Sequence, residues 1–232
     1  MNIVRYRPLL HVVMLIAMTS TLVAWAGTPV AKSASLTQGI TTIDPSDPRL
    51  VPNPIESSDE GTIWSCRFTG PEVQCTSTLT FSWELQEGPG ELFYFCAVPI
   101  YSVNGTFTRT QTRYYTYDAA SGQYLEYKRL IHLYSNEFFT PVPDPNTTNV
   151  VIARLNMTWI STFQTPGDLD SRVTQKQGID TFIKPPNGRL VVLDVGQKMT
   201  VLGEDFDFRG RWDIALGDPA VEFGKVCSAL GL

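Results

Sequence analysis

From Ile63 onward apolar and polar residues alternate with period two. Between Val73 and Leu85 one side carries Val73, Cys75, Ser77, Leu79, Phe81, Trp83 and Leu85, and the other carries Gln74, Thr76, Thr78, Thr80, Ser82 and Glu84. Successive side chains of a strand point to opposite faces, so this pattern predicts strands with one face toward water. Gly88-Pro89-Gly90 then turns the chain into a second run, Leu92–Val103. Phe107–Tyr117 and Gln123–Tyr134 flank Asp118-Ala-Ala-Ser-Gly122, whose glycine suits the positive φ of a bulged hairpin turn. Residues 141–148 are proline-rich and read as a loop. Val151, Ala153, Leu155, Met157, Trp159, Ser161 and Phe163 form another long apolar face, opposed by Arg154, Asn156, Thr158 and Thr162. Runs at 172–184, 189–195 and 198–203 follow, separated by Pro185-Pro-Asn-Gly188 and by Gly196-Gln197, with a last strand over 206–212.

Only the C-terminal end takes the helical period. Asp218 suits an N-cap, Pro219 the first helical position, and Phe223, Cys227 and Leu230 recur at helical spacing before Gly231. The expectation is therefore all-β, an antiparallel meander of about nine strands with one short C-terminal helix. A meander with one wet face either closes into a barrel or folds into a two-sheet sandwich. The barrel is the favoured form, with a Cys96–Cys227 bridge where the first and last elements meet.

The N-terminal quarter departs from this pattern. Arg5 and Arg7 precede an apolar run, Leu9 to Ala26, that ends in Ala24-Trp25-Ala26, the small-x-small pattern of a signal peptidase site. Residues 1–26 are read as a cleaved signal peptide, which makes the protein secreted or extracytoplasmic, with no membrane span after cleavage. The rival reading of the run is an uncleaved anchor. Residues 27–60 hold Pro29, Pro45, Pro48, Pro52 and Pro54 among Thr, Ser and Asp, and read as a flexible or extended linker. A single β domain over 61–232 completes the chain. With 43% hydrophobic and 18% charged residues the composition is that of an ordinary packed domain. Loss of Arg5 and Arg7 with the leader takes the net charge from −5 to −7. No basic run is present, and phosphate contacts need clustered Lys and Arg, so nucleic acid is not expected as a partner.

Four cysteines, Cys66, Cys75, Cys96 and Cys227, all fall after the leader. In an oxidising compartment an even count reads as two bridges with three possible connectivities. Cys66–Cys75 with Cys96–Cys227 is favoured, because the first pair brackets the Gly70-Pro71 turn. A zinc site lacks both C-x-x-C spacing and histidine partners. No metal and no cofactor are expected.

Catalytic candidates are sparse. After the leader only His132 remains, flanked by Leu130, Ile131 and Leu133, and no G-x-S-x-G elbow exists. Asp205 and Asp207 are two apart and would share a strand face, opposite Phe206 and Phe208. Such a pair could bind calcium or serve as half of a glycosidase's acid and base, or simply form an acidic outside. Asp168 and Asp170 read as a turn. Tyr114, Tyr115, Tyr117, Tyr124, Tyr127 and Tyr134 populate one hairpin, interleaved with Arg113, Lys128 and Arg129. Exposed tyrosines on a sheet offer platforms for sugar rings or a protein partner, and Tyr115, Tyr117, Tyr124 and Tyr127 are the candidate ligand-binding set. The same residues also serve as cross-strand packing.

Cys96-Ala-Val-Pro-Ile, Val103-Asn-Gly, Tyr117-Asp…Gly122, Leu190-Val-Val-Leu-Asp-Val-Gly196 and Val226-Cys-Ser-Ala-Leu-Gly resemble a widespread type of exported bacterial β-protein, over roughly residues 93 to 231. The resemblance implies an exported all-β domain and no activity or site residues. In that setting the sequons at Asn104, Asn146 and Asn156 are products of a Thr-rich chain. The functional expectation is a non-enzymatic secreted or cell-envelope domain that binds a small apolar ligand or a surface partner, whether glycan or protein. The alternatives are a hydrolase acting on envelope carbohydrate through a carboxylate pair and a purely structural envelope module.

Overall fold

The computed structural model describes residues 41–56, 62–88 and 94–232. The expected signal peptide, and the expected linker as far as residue 40, lie outside the described residues. Ten strands follow in order: β1 (Thr42–Ile43), β2 (Leu50–Val51), β3 (Trp64–Thr69), β4 (Glu72–Glu87), β5 (Tyr101–Asp118), β6 (Gln123–Thr140), β7 (Val151–Phe163), β8 (Arg172–Lys184), β9 (Val192–Val201) and β10 (Glu204–Trp212). One helix, α1 (Pro219–Ala229), ends the chain, and a 3-10 turn at Leu169–Ser171 precedes β8. Asp218 caps α1 by accepting from the Ala220 amide, with proline in the first turn as the sequence predicts.

All ten strands belong to one sheet with the order β1-β3-β4-β5-β6-β7-β8-β9-β10, antiparallel throughout except for β2, which lies parallel to the start of β6. The sheet is not closed into a barrel. β1 and β10, its two ends, do not pair with each other, and the Cys96–Cys227 bridge does not join them. That bridge links α1 to a helical turn at 94–96 ahead of β5. The expected strand over Leu92–Val103 therefore gives way, from Tyr94 to Ile100, to this turn and an irregular segment. Cys66–Cys75 is a direct cross-strand pair in the β3–β4 hairpin, and Gly70 takes a positive φ at its turn.

Residues 41–56, expected to belong to a linker, are packed. Asp44 and Asp47 turn the chain by accepting from Ser46 and Arg49, which carries Ile43 and Leu50 into a core with Trp64, Cys66, Val73, Cys75 and Tyr115. Two buried apolar side chains, local carboxylate turns and backbone pairing with β3 and β6 hold a stretch whose average composition reads as unstructured. A second core lies at the other end of the sheet. There Ile100, Phe139, Val151, Ile183 and Val192 meet Val226, Cys227 and Leu230 of the α1 region. Register and alternation place both cores on the same sheet face, with a mixed stretch between them where Leu133 and Met157 are buried among Gln111, Ser135 and Lys198. The opposite face of β4 and β5 is a threonine ladder: Thr76 faces Thr112, Thr78 faces Thr110 and Thr80 faces Thr108.

Gly196-Gln197 does not separate two strands. β9 runs through it, because Gly178, Gly196 and Gly210 stand side by side across β8, β9 and β10, all at positive φ. A Cβ on Gly196 would lie 1.9 Å from the Arg209 carbonyl oxygen, so the ladder continues only because side chains are missing there.

Candidate functional site

The tyrosine hairpin divides between the two faces of the sheet. Tyr115 is wholly buried, and its hydroxyl donates to the Pro52 carbonyl at 3.1 Å. Burial, added to by Glu126, pushes its phenol pKa up. Tyr117 pairs directly with Tyr124, their rings 5.2 Å apart, and Tyr124 also meets Phe68 and the Arg49 guanidinium. Tyr127 lies on the other side, against Tyr114, and donates to Glu72 at 3.0 Å. Of the four candidates only Tyr117 is strongly exposed. Tyr115 therefore offers no platform to solvent, and the four do not form one surface.

Next to Tyr115 lies a buried charge cluster. Arg129 holds both oxygens of Glu126 at 2.7 Å, and Arg113 approaches the same carboxylate at 4.0 Å while stacking over Trp64. Burial and the neighbouring Arg129 push the Arg113 guanidinium pKa down, and Glu126 opposes them. Removing Glu126 alone would leave two arginines facing each other out of water.

A second network spans β8, β9 and β10. Lys198 binds Asp180 and Asp205, each at 2.9 Å, and Lys176 binds Asp205 at 3.0 Å. The Thr200 hydroxyl donates to Asp205. Desolvation, which would raise the Asp205 pKa, is outweighed by these hydrogen bonds from Thr200, Lys198 and Lys176, and the carboxyl is held down to about 2. Asp207 does not share its face. A bulge between Phe206 and Arg209, with Asp207 at positive φ, breaks the alternation. Asp207 consequently pairs with exposed Arg209, and Phe208 turns toward Trp212 and Lys198. A general acid needs a raised pKa, whereas Asp205 is held ionised. Asp194 is raised by burial, but its oxygens accept from the Ile214 and Ala215 amides and shape the turn before α1. His132 is exposed and bonds laterally to Thr158.

A cavity of about 790 Å³ opens at the end of the sheet where α1 stops. Val103, Phe138, Pro145, Val150, Pro185 and Ala229 supply its apolar wall. Two amides frame it. Asn104, at positive φ, donates to the Pro145 carbonyl, and Asn149 donates to the Leu230 carbonyl, each at 3.2 Å. These bonds tie the 141–150 loop to β5 and to the end of α1. The sequence marked 141–148 and 185–188 as loops, but nothing in it indicated that they meet over Val103 and Phe138.

Comparison with protein-family models, with curated proteins and with solved structures finds no match to this chain.

Proposed function

We propose that this is a non-enzymatic, extracytoplasmic β domain that holds a small, largely apolar ligand in the cavity at the α1 end of the sheet. The observation that carries the reading is the cavity itself. Its volume of about 790 Å³ lies within the span of small-molecule sites, and its wall is mainly apolar with a few oriented amides. Burial of an apolar ligand there contributes roughly 25 cal/mol for each Å² removed from water. Two disulfides suit an oxidising compartment, which is the support for export. Among the described residues no helix is long and apolar enough to cross a membrane.

The test uses the dye 1-anilinonaphthalene-8-sulfonate under native conditions, with Ala229→Phe to fill the cavity from the end of α1. Saturable dye fluorescence in the parent is expected, with affinity at least about tenfold weaker in the variant at unchanged Tm. No saturable signal, or a variant that binds equally well, overturns the reading. Native mass spectrometry of protein purified from its own secretome identifies any ligand carried along.

A further inference from the structure

We propose a second, chemically different site on the stretch of the sheet between the two cores, built around Trp159 and suited to a neutral saccharide. A cavity of about 420 Å³ lies over β7, β8 and β9, between the 3-10 turn at Leu169–Ser171 and the β9–β10 hairpin at Leu202-Gly203. Trp159 and Ile131 contribute an apolar floor, and Leu169 and Leu202, both exposed, an apolar rim. The polar lining comes from Asp170, Arg172, Lys176, Ser161, Thr174 and Thr200.

Charge balance selects the ligand class. Lys176 is neutralised by Asp205 at 3.0 Å. That leaves Asp170 and Arg172 at the rim, one acceptor and one donor of opposite sign, neither in an ion pair among the described residues. An anionic ligand would gain from Arg172 but meet Asp170, and a cation would meet the reverse. A neutral molecule bearing several hydroxyls satisfies both, because each hydroxyl donates and accepts. The hydroxyls of Ser161 and Thr174 bond to each other at 2.8 Å and are buried, so they act as a fixed base and not as free partners. The C–H face of a sugar ring matches the apolar floor.

A second observation points the same way. The Trp159 indole N–H is buried and has no hydrogen-bond partner among the described residues. An unpaired buried donor costs on the order of 1–3 kcal/mol. The N–H is closed to solvent, so a ligand oxygen would relieve that cost by displacing the neighbours that cover it. One side of the indole carries the Lys176 ammonium, 5.2 Å from the ring centre.

The site is tested by following tryptophan indole N–H resonances while glucose, galactose, mannose, N-acetylglucosamine, maltose and cellobiose are each added to about 10 mM, enough to detect millimolar binding. Trp159→Phe assigns the Trp159 signal and retains an aromatic floor without the donor. At least one saccharide is expected to shift that resonance saturably. Arg172→Ala, followed at the Trp159 resonance, and Trp159→Phe, which lacks that resonance and is followed at the backbone amides of Thr174 and Lys176, are each expected to weaken binding at least about fivefold with Tm preserved. Ala229→Phe, at the apolar cavity, is expected to leave saccharide binding intact, which separates this site from the one proposed above. No shift with any of the six sugars overturns the proposal. So does saturation by benzoate in their place, or saccharide binding that survives both substitutions.

Discussion

Asp205 draws hydrogen bonds from Thr200, Lys198 and Lys176, and its carboxyl is ionised down to about 2 instead of an ordinary 3.8. A group whose folded pKa is depressed stabilises the fold above its unfolded value and loses that contribution as pH falls through the folded one. Stability should therefore be full above about pH 4 and decline toward pH 2. Asp205 is partly open to water, and screening reduces the contribution to about 1–2 kcal/mol. Urea unfolding of Asp205→Asn and the parent across pH 2–6 checks this, with a gap at pH 6 that narrows at pH 2. A gap that stays constant with pH would show that the stabilisation is not linked to this carboxyl. Lys198 responds in the opposite sense. Desolvation would lower its pKa, but Asp180 and Asp205 hold it raised, so it remains charged throughout that range.

At the scale of elements, glycines decide how β8, β9 and β10 continue. Gly178, Gly196 and Gly210 face one another at φ values of +123°, +147° and +118°. A side chain at Gly196 collides with the next strand's backbone, which has no flexible end to move aside. Gly196→Ala is expected to cost at least about 1–3 kcal/mol through backbone strain alone, measured as a fall in Tm with the dye site unaffected. A neutral outcome would mean that the three strands accommodate a Cβ by shifting register. Gly105 illustrates a different need, close packing. A Cβ there would fall 2.0 Å from the Trp83 ring, which lies across it and donates to Ser102. The two sheet ends also differ. β10 carries Asp207, Arg209 and Arg211 with a bulge, devices that discourage further pairing. Beyond Ser77, β4 has β5 as its strand neighbour, and Phe81, Trp83 and Phe107 cluster beside that stretch.

At the scale of the whole molecule, two cores at opposite ends of one sheet are held by two bridges of unequal reach. Cys96 and Cys227 are 131 residues apart, Cys66 and Cys75 only 9. Chain-entropy reasoning gives about 5 kcal/mol for the long loop and roughly 2–3 for the short one. Denaturant unfolding of Cys96→Ala/Cys227→Ala should show the larger loss, and Cys66→Ala/Cys75→Ala the smaller. Equal losses would shift the explanation from loop closure to packing around the sulfurs, since both pairs lie in cores.

Much of the fold was legible as a string. Period-two alternation located β4, β7 and β8, Gly122 and Gly70 marked hairpin turns, and Asp218-Pro219 announced the helix, because each signal resides in residues adjacent along the chain. The favoured disulfide connectivity also appears in the structure. The site was far less legible. Tyrosines spaced for a platform proved to be divided by face, and Tyr115 lies under Leu50 and the 41–56 segment, which composition alone marked as unpacked. One bulge separated Asp205 from Asp207. Alternation, turn chemistry and capping belong to the local backbone, so the sequence alone determined elements such as β4, β7 and α1. Whether the sheet closes, which loops meet over Val103 and what faces Trp159 depend on contacts between residues far apart in the chain, and only the tertiary structure decided them.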